Sequence, residues 1–314
     1  VARRAEAWGF SGLLVADSQN LAADVWIELA LAAAATTRLR VGPGVTNPVT
    51  RHPAVTASAA ATLQQESGGR AVVGFARGDS ALAQIGRAPV PVADFERSLV
   101  ELQGFLRGET VTLEDGAESR IGWIAGPKVP VAVAATGPKV IGVAARHADA
   151  IDFTVGAEPD RLRWAIDTAR AAARGREISL GAFVDVAVGD DRAVARDLVR
   201  GSTSTLARFG AEGAPADGLS DVTREGIEAL AAAFDEGRHG QAAAPAAQAL
   251  TDEFLDRFAV CGPAAEVTER LLELRGLGLD RLVVVPGSLD AEQDAAAAAN
   301  EAFAADVLPA LLAA

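Results

Sequence analysis

The chain has 314 residues, half of them apolar, and its 29 Lys and Arg against 42 Asp and Glu leave a net charge of −13. That balance excludes a protein built around a basic face for nucleic acid. Cys261 is the only cysteine, and His52, His147 and His239 lie far apart, which excludes an intrachain disulfide and leaves no metal-ligand cluster to expect.

Val1 to Trp8 reads as an amphipathic helix closed by Gly9. Ser11 to Ala16 is an apolar strand ending at Asp17, and Asp24 to Ala35 the helix after it. Arg38 to Val45 is the next strand, followed by a Gly/Pro-rich turn and a helix from Ala54 to Gln65. Ala71 to Phe75 is a strand and Asp94 to Leu106 a helix. Residues 108–124 read as an extended insertion, a hairpin with Asp115-Gly116 at its turn. Strands follow at Pro130 to Ala135, Ala150 to Thr154 and Ile178 to Val188, with helices at Pro138 to His147, Pro159 to Arg174 and Arg192 to Phe209. Residues 211–250 carry weaker helical signals. Pro263 to Leu277 is helical, Asp280 to Val285 the last strand, and Ala291 to Leu311 a C-terminal helix.

Strands alternating with helices indicate a parallel α/β fold. Seven strands are visible, and one more before Val1 would make the eight of a TIM (β/α)8 barrel. The expectation is one domain over residues 1–314, with insertions near 107–129 and 211–262 and the first strand absent from the N-terminus. A doubly wound sheet is the weaker alternative, because no Gly-x-Gly-x-x-Gly opens a helix. No apolar run approaches the ~20 residues that span a bilayer, and no signal peptide is visible. A cytoplasmic enzyme with a small-molecule substrate, and neither nucleic acid nor membrane as partner, is expected.

Barrel enzymes carry their sites at the C-terminal ends of the strands. Here those ends hold Asp17-Ser18, Gly42 to His52, Ala76 to Ser80, Thr136 to Lys139, Thr154 to Ala157 and Pro286 to Ser288. Asp17 is the catalytic candidate: its carboxylate could orient a substrate or move a proton, or simply fix its own loop. Ala134-Ala-Thr-Gly-Pro-Lys139 joins a strand to a helix, and backbone N–H groups, a hydroxyl and an ammonium there make an anion site, with helix capping by Thr136 the plainer reading. Arg51 is expected to be solvated at the start of a helix, and Cys261 to be structural, in a turn near the surface. No Gly-x-Ser-x-Gly and no Walker loop is present.

Three segments carry a resemblance: Val41-Gly-Pro-Gly-Val-Thr-Asn-Pro-Val-Thr-Arg-His-Pro, Ser67-Gly-Gly-Arg-Ala-Val-Val-Gly-Phe-Ala-Arg-Gly-Asp-Ser, and Ala134 to Lys139. In order and spacing, from about Ala5 to Val285, the chain resembles the luciferase-like superfamily, and within it the coenzyme F420-dependent methylenetetrahydromethanopterin reductases. The resemblance implies hydride transfer between the deazaflavin and a small organic substrate. It places a bulge with a non-proline cis peptide at Gly44-Val45 under the ring, with Thr46 and Asn47 on the ring's polar edge. It puts the phosphate at Ala135, Thr136, Gly137 and Lys139, and the substrate near Ser18, Asp79 and Ser80. Relatives often have Asp-His where this chain has Asp17-Ser18, and a small residue where it has Arg77. Their proposed proton donor, a glutamate on the first strand, has no counterpart here to carry over. A homodimer is implied, with Trp26, Ile27, Leu29, Ala30 and Leu31 as a candidate face. An FMN-dependent monooxygenase of the same superfamily and a non-catalytic F420-binding protein remain as alternatives.

Overall fold

The computed structural model describes residues 1–211 and 217–314, so residues 212–216 of the expected insertion at 211–262 lie outside the described residues. The elements run α1 (Ala2–Trp8), β1 (Gly12–Val15), α2 (Val25–Ala34), β2 (Arg40–Pro43), α3 (Pro53–Glu66), β3 (Val73–Phe75), α4 (Ser80–Ala83) and α5 (Val92–Leu106). Then come β4 (Val111–Thr112), β5 (Glu118–Ser119), β6 (Val131–Ala135), α6 (Pro138–His147), β7 (Ala150–Phe153), α7 (Pro159–Ala173), β8 (Ser179–Val188) and α8 (Arg192–Arg208). The chain ends with α9 (Asp221–Ala233), α10 (Pro245–Gln248), α11 (Asp252–Phe258), β9 (Val260–Gly262), α12 (Ala264–Gly276), β10 (Arg281–Val285), α13 (Gln293–Ala302) and α14 (Leu308–Ala313), the last two joined by a π-helical turn.

Two compact units divide the chain: residues 1–134 with 143–150, and residues 135–142 with 151–314. In the first, β1 pairs in parallel with β2, and β3 in parallel with β6. Parallel bridges at Val41–Ala71 and Thr46–Phe75 join β2 to the β3 segment. The strands are short and apolar, and helices α2, α3 and α5 bury Leu29, Ala57, Phe95, Leu99 and Phe105. Phe75 stacks on Phe95 with ring centroids 5.5 Å apart. Each buried Leu or Phe contributes roughly 1.5–3 kcal/mol of burial free energy.

Local chemistry fixes the helix starts. Asp24 accepts the backbone N–H groups of Trp26 and Ile27, and His52 Nδ1 accepts that of Ala54 ahead of Pro53 at the first helical position. At the far end of α2, Arg70 donates to the carbonyls of Ala33, Thr36, Leu39 and Ser67 and to the Thr36 hydroxyl. One guanidinium thereby satisfies carbonyls that the end of a helix leaves open, and ties α2 to the start of β2. The expected hairpin forms as β4 and β5, paired antiparallel, with Gly116 in the left-handed region at φ 84°.

In the second unit β8 lies between β7 and β10, and its C-terminal end pairs in parallel with β9. All but the first of the ten β8 residues are buried. A separate apolar cluster gathers Ile227, Leu230, Phe254 and Phe258 from α9 and α11.

Two expectations are corrected. Cys261 sits in strand β9, not in a turn; it is buried, and burial pushes its thiol up to about 11. Three residues between a helix and Gly262-Pro263 were too short a run to show as a strand. The C-terminal stretch Gln293–Ala313 is a helical run of 21 residues, long and apolar enough by composition to cross a bilayer, with 33% buried. Its apolarity comes from alanines, which form no block of large side chains in the sequence.

Candidate active site

The first unit contains the irregular backbone that the sequence singled out. β2 follows β1 up to Pro43, and the Gly44 amide still donates to the Val15 carbonyl at 2.7 Å. Two residues later the Thr46 amide donates to Gly74 O and the Thr46 carbonyl accepts from Ala76, both at 2.9 Å. Val41 bridges Ala71 and Thr46 bridges Phe75, so five steps along this strand oppose four on the β3 side. The extra residue makes a bulge, and the Gly44–Val45 peptide is cis. A Cβ on Gly74 would lie 2.4 Å from Pro43 O and 2.8 Å from Val45 Cγ1. Glycine is therefore required for β3 to approach the bulge so closely.

The bulge brings two of the candidate residues together. The Thr46 hydroxyl donates to Asp17 Oδ2 at 2.7 Å, and both residues are buried. A buried carboxylate holding one neutral hydroxyl keeps acceptor capacity for a further donor. Asn47, also buried, turns its Oδ1 onto the amides of Val49 and Thr50 and shapes the loop behind the bulge. As an acceptor it is already engaged there, which leaves its amide nitrogen for any ring contact.

Asp17 lines a pocket of about 600 Å³ together with Gln19, Asp24, Val49, Thr50, Arg51, Ile85 and Arg87. All of these lie on loops or turns that follow β1, β2 and β3, the end where α/β barrels place their chemistry. The walls are tied to one another. Gln19 Nε2 donates to Ala81 O at 2.6 Å and Asn20 Nδ2 to Gln84 O at 3.1 Å. Arg51 pairs with Asp24 at 2.6 Å, so it is not simply solvated. Burial alone would raise the Asp24 carboxyl, but the Ile27 amide and Arg51 outweigh it and hold the group below its usual range.

Ser18 adjoins the pocket and accepts, through its carbonyl, the amides of Leu21 and Ala22. Asp79 and Ser80 are not among the pocket's lining residues; the Asp79 carbonyl starts α4, and Ser80 is buried. Arg77 does not line it either, because its Nε is turned to Val90 O at 2.6 Å. Val49 and Thr50 fall in the strand-end group Gly42 to His52, whereas Gln19, Ile85 and Arg87 were not singled out in the sequence. The available signal was Gly86, a lone glycine two residues after a short polar step in an apolar run.

In the second unit, Ala135 ends β6 buried and its carbonyl accepts the Thr154 amide at 3.0 Å. The Thr136 and Thr154 hydroxyls share a hydrogen bond of 2.6 Å, a partner for Thr136 that the sequence did not reveal. Pro138 opens α6, Lys139 is exposed, and the space where a Gly137 Cβ would stand holds no atom within 4 Å. Such an end, with backbone N–H groups and a cation, is open to an anion.

Residues 1–281 match the luciferase-like monooxygenase family. The chain belongs to that family. It is 30% identical over 295 residues to a 5,10-methylenetetrahydromethanopterin reductase of Methanolobus tindarius, covering 90% of this chain and 87% of the relative. It is 31% identical to the enzyme of the same name from Archaeoglobus fulgidus, covering 89% and 86%. Among solved structures, the coenzyme F420-dependent tetrahydromethanopterin reductase from Methanopyrus kandleri superposes with a TM-score of 0.72 at 24% identity, covering 97% of this chain and 92% of that one. These luciferase-like relatives are oxidoreductases by name, and the parallel strands with helical crossovers are the fold they share.

Proposed function

We propose that this luciferase-like protein is a coenzyme F420-dependent oxidoreductase acting on a small organic substrate, closest in kind to the methylenetetrahydromethanopterin reductases. The observation that carries the reading is the bulge beside a buried Asp17–Thr46 pair on the wall of a pocket of about 600 Å³. The residues fit the cofactor: Gly44 and Val45 at the bulge are half-buried, with Gly44 backed by Leu14, and Gly137 leaves open space before α6. Bound there, the deazaflavin would supply the hydride acceptor or donor.

Gly44 and Val45 would back the ring, with Thr46 and Asn47 at its edge. Ala135, Thr136, Gly137 and Lys139 would hold the phosphate. Asp17, fixed by Thr46, would orient the substrate through its remaining lone pairs or take a proton from it, with Ser18, Asp79 and Ser80 toward the substrate side. The reading takes the fold as a one-domain (β/α)8 barrel and the enzyme as a cytoplasmic homodimer. For the dimer face, Ile27 and Leu31 remain candidates at 64% and 61% exposure, whereas Leu29 is fully buried in the core.

An anaerobic assay of reduced F420 with a panel of acceptors, methylenetetrahydromethanopterin first, tests the activity. Oxidation of the cofactor with one acceptor is the expected result. Tight binding with no turnover on any acceptor would contradict catalysis and leave a cofactor-binding protein.

A further inference from the structure

The pocket beside Asp17 carries charge that the proposed chemistry does not use. Two guanidiniums, Arg51 and Arg87, and two carboxylates, Asp17 and Asp24, line it. Arg51 and Asp24 neutralise each other at 2.6 Å, and Asp17 accepts the Thr46 hydroxyl. Arg87 is exposed, and its guanidinium has no hydrogen bond or ion pair among the described residues. Its backbone is nevertheless held. The Gly86 amide donates to Ala83 O at 3.0 Å and the Arg87 amide to Leu82 O at 2.9 Å, with Gly86 at φ 68°. This is a Schellman closure of α4, and it requires glycine at that φ. Farther along, the Arg77–Val90 hydrogen bond pins the chain that leaves Arg87, while Gln19 and Asn20 tie the opposite loop to the α4 turn. A cation without a partner is thus mounted on a fixed turn at the pocket wall, next to the apolar Ile85.

From this arrangement we propose that Arg87 recognises an anionic group, a carboxylate or a phosphate ester, on the substrate of this enzyme. The inference rests on the proposed function, in which the cofactor's own phosphate is held at Thr136 to Lys139. A guanidinium meets such a group with two parallel N–H donors, which fixes orientation as well as charge. The substrate class is then a small molecule with an anion at one end and a hydrogen-bond donor near its reacting centre, the donor meeting Asp17. Arg87 is a specificity-determining residue in this account.

The test is calorimetric titration of the full chain with inorganic phosphate and, separately, succinate, at constant ionic strength. Wild type is compared with Arg87→Gln, Arg87→Lys and the distant exposed control Arg40→Gln, and F420 is titrated into each in parallel. Single-site binding of at least one probe is expected, weakened about tenfold in Arg87→Gln, partly kept in Arg87→Lys and unchanged in Arg40→Gln, as loss of a charge-assisted contact requires. The tighter probe names the anion as phosphate or carboxylate. Equal binding by wild type and Arg87→Gln, or no binding of either probe, would overturn the proposal. Lost F420 affinity in Arg87→Gln would overturn it too, by assigning Arg87 to the cofactor. If the anions bind as expected and no protein binds F420, the cofactor reading fails while the anion subsite at Arg87 stands.

Discussion

Asp17 and Thr46 make the residue-scale case for catalysis, because among the described residues neither side chain has a hydrogen-bond partner other than the other. Replacing Asp17 with Asn is expected to lower turnover of reduced F420 about 100-fold, within the range of a lost acid, base or orienting carboxylate. F420 affinity, read by fluorescence, should stay within a factor of about three. Removal of the hydroxyl in Thr46→Val should cost about tenfold in kcat/KM, the size of one hydrogen bond to a charged group. A melting temperature unchanged in both variants would separate these effects from folding. Asp185 makes a different residue-scale prediction. Burial, offset only in part by hydrogen bonds from Ser202 and Thr203, raises its carboxyl to about 7. The folded chain therefore keeps this proton between pH 4 and 7 while the unfolded chain releases it. Stability should fall with rising pH across that window and level off above it. Asp185→Asn should abolish the slope and gain about 2–4 kcal/mol at pH 8, measured by urea unfolding. Glu6 works in the opposite sense: its carboxylate accepts the amides of Arg38, Leu39 and Thr37, which lowers it to about 2. Its contribution is present above pH 4.5 and lost as pH falls from there toward 2, and Glu6→Gln should flatten that acid limb.

At the scale of elements, the bulge depends on the approach of β3 to β2. Gly74→Ala would drive a methyl into Pro43 O and Val45, contacts closer than real Cβ atoms make. A loss of about 2–3 kcal/mol is expected in denaturant unfolding, together with weakened F420 binding. Full F420 affinity in Gly74→Ala would show that the bulge is not the ring's support. Most elements were legible before the structure: all seven strands read from the sequence are present, and α6 has the bounds predicted for it. Their apolar runs and the Gly, Pro, Asp and Ser residues between them are local signals, and capping by Asp24 and His52 is local chemistry. β9 was missed because it is three residues long and is held by its pairing with β8, a contact distant in sequence. The same holds for Arg70, whose five acceptors come from three separate segments.

For the molecule as a whole, the motifs that carry the family resemblance lie where the sequence placed them, at or just beyond strand ends, and the match to the luciferase-like family covers residues 1–281. The pocket was only half legible. Asp17, Val49, Thr50 and Arg51 stood out by position, whereas Gln19, Ile85 and Arg87 reach its wall through the hydrogen bonds that fold their loops together. The central claim is the identity of the cofactor. The direct test is fluorescence titration of the purified protein with coenzyme F420 and, in parallel, with FMN. The account predicts saturable F420 binding at micromolar or lower concentration, ~8 kcal/mol or more of binding free energy, with FMN at least about 100-fold weaker. Preference for FMN would contradict it and place the protein among the flavin monooxygenases of the same family.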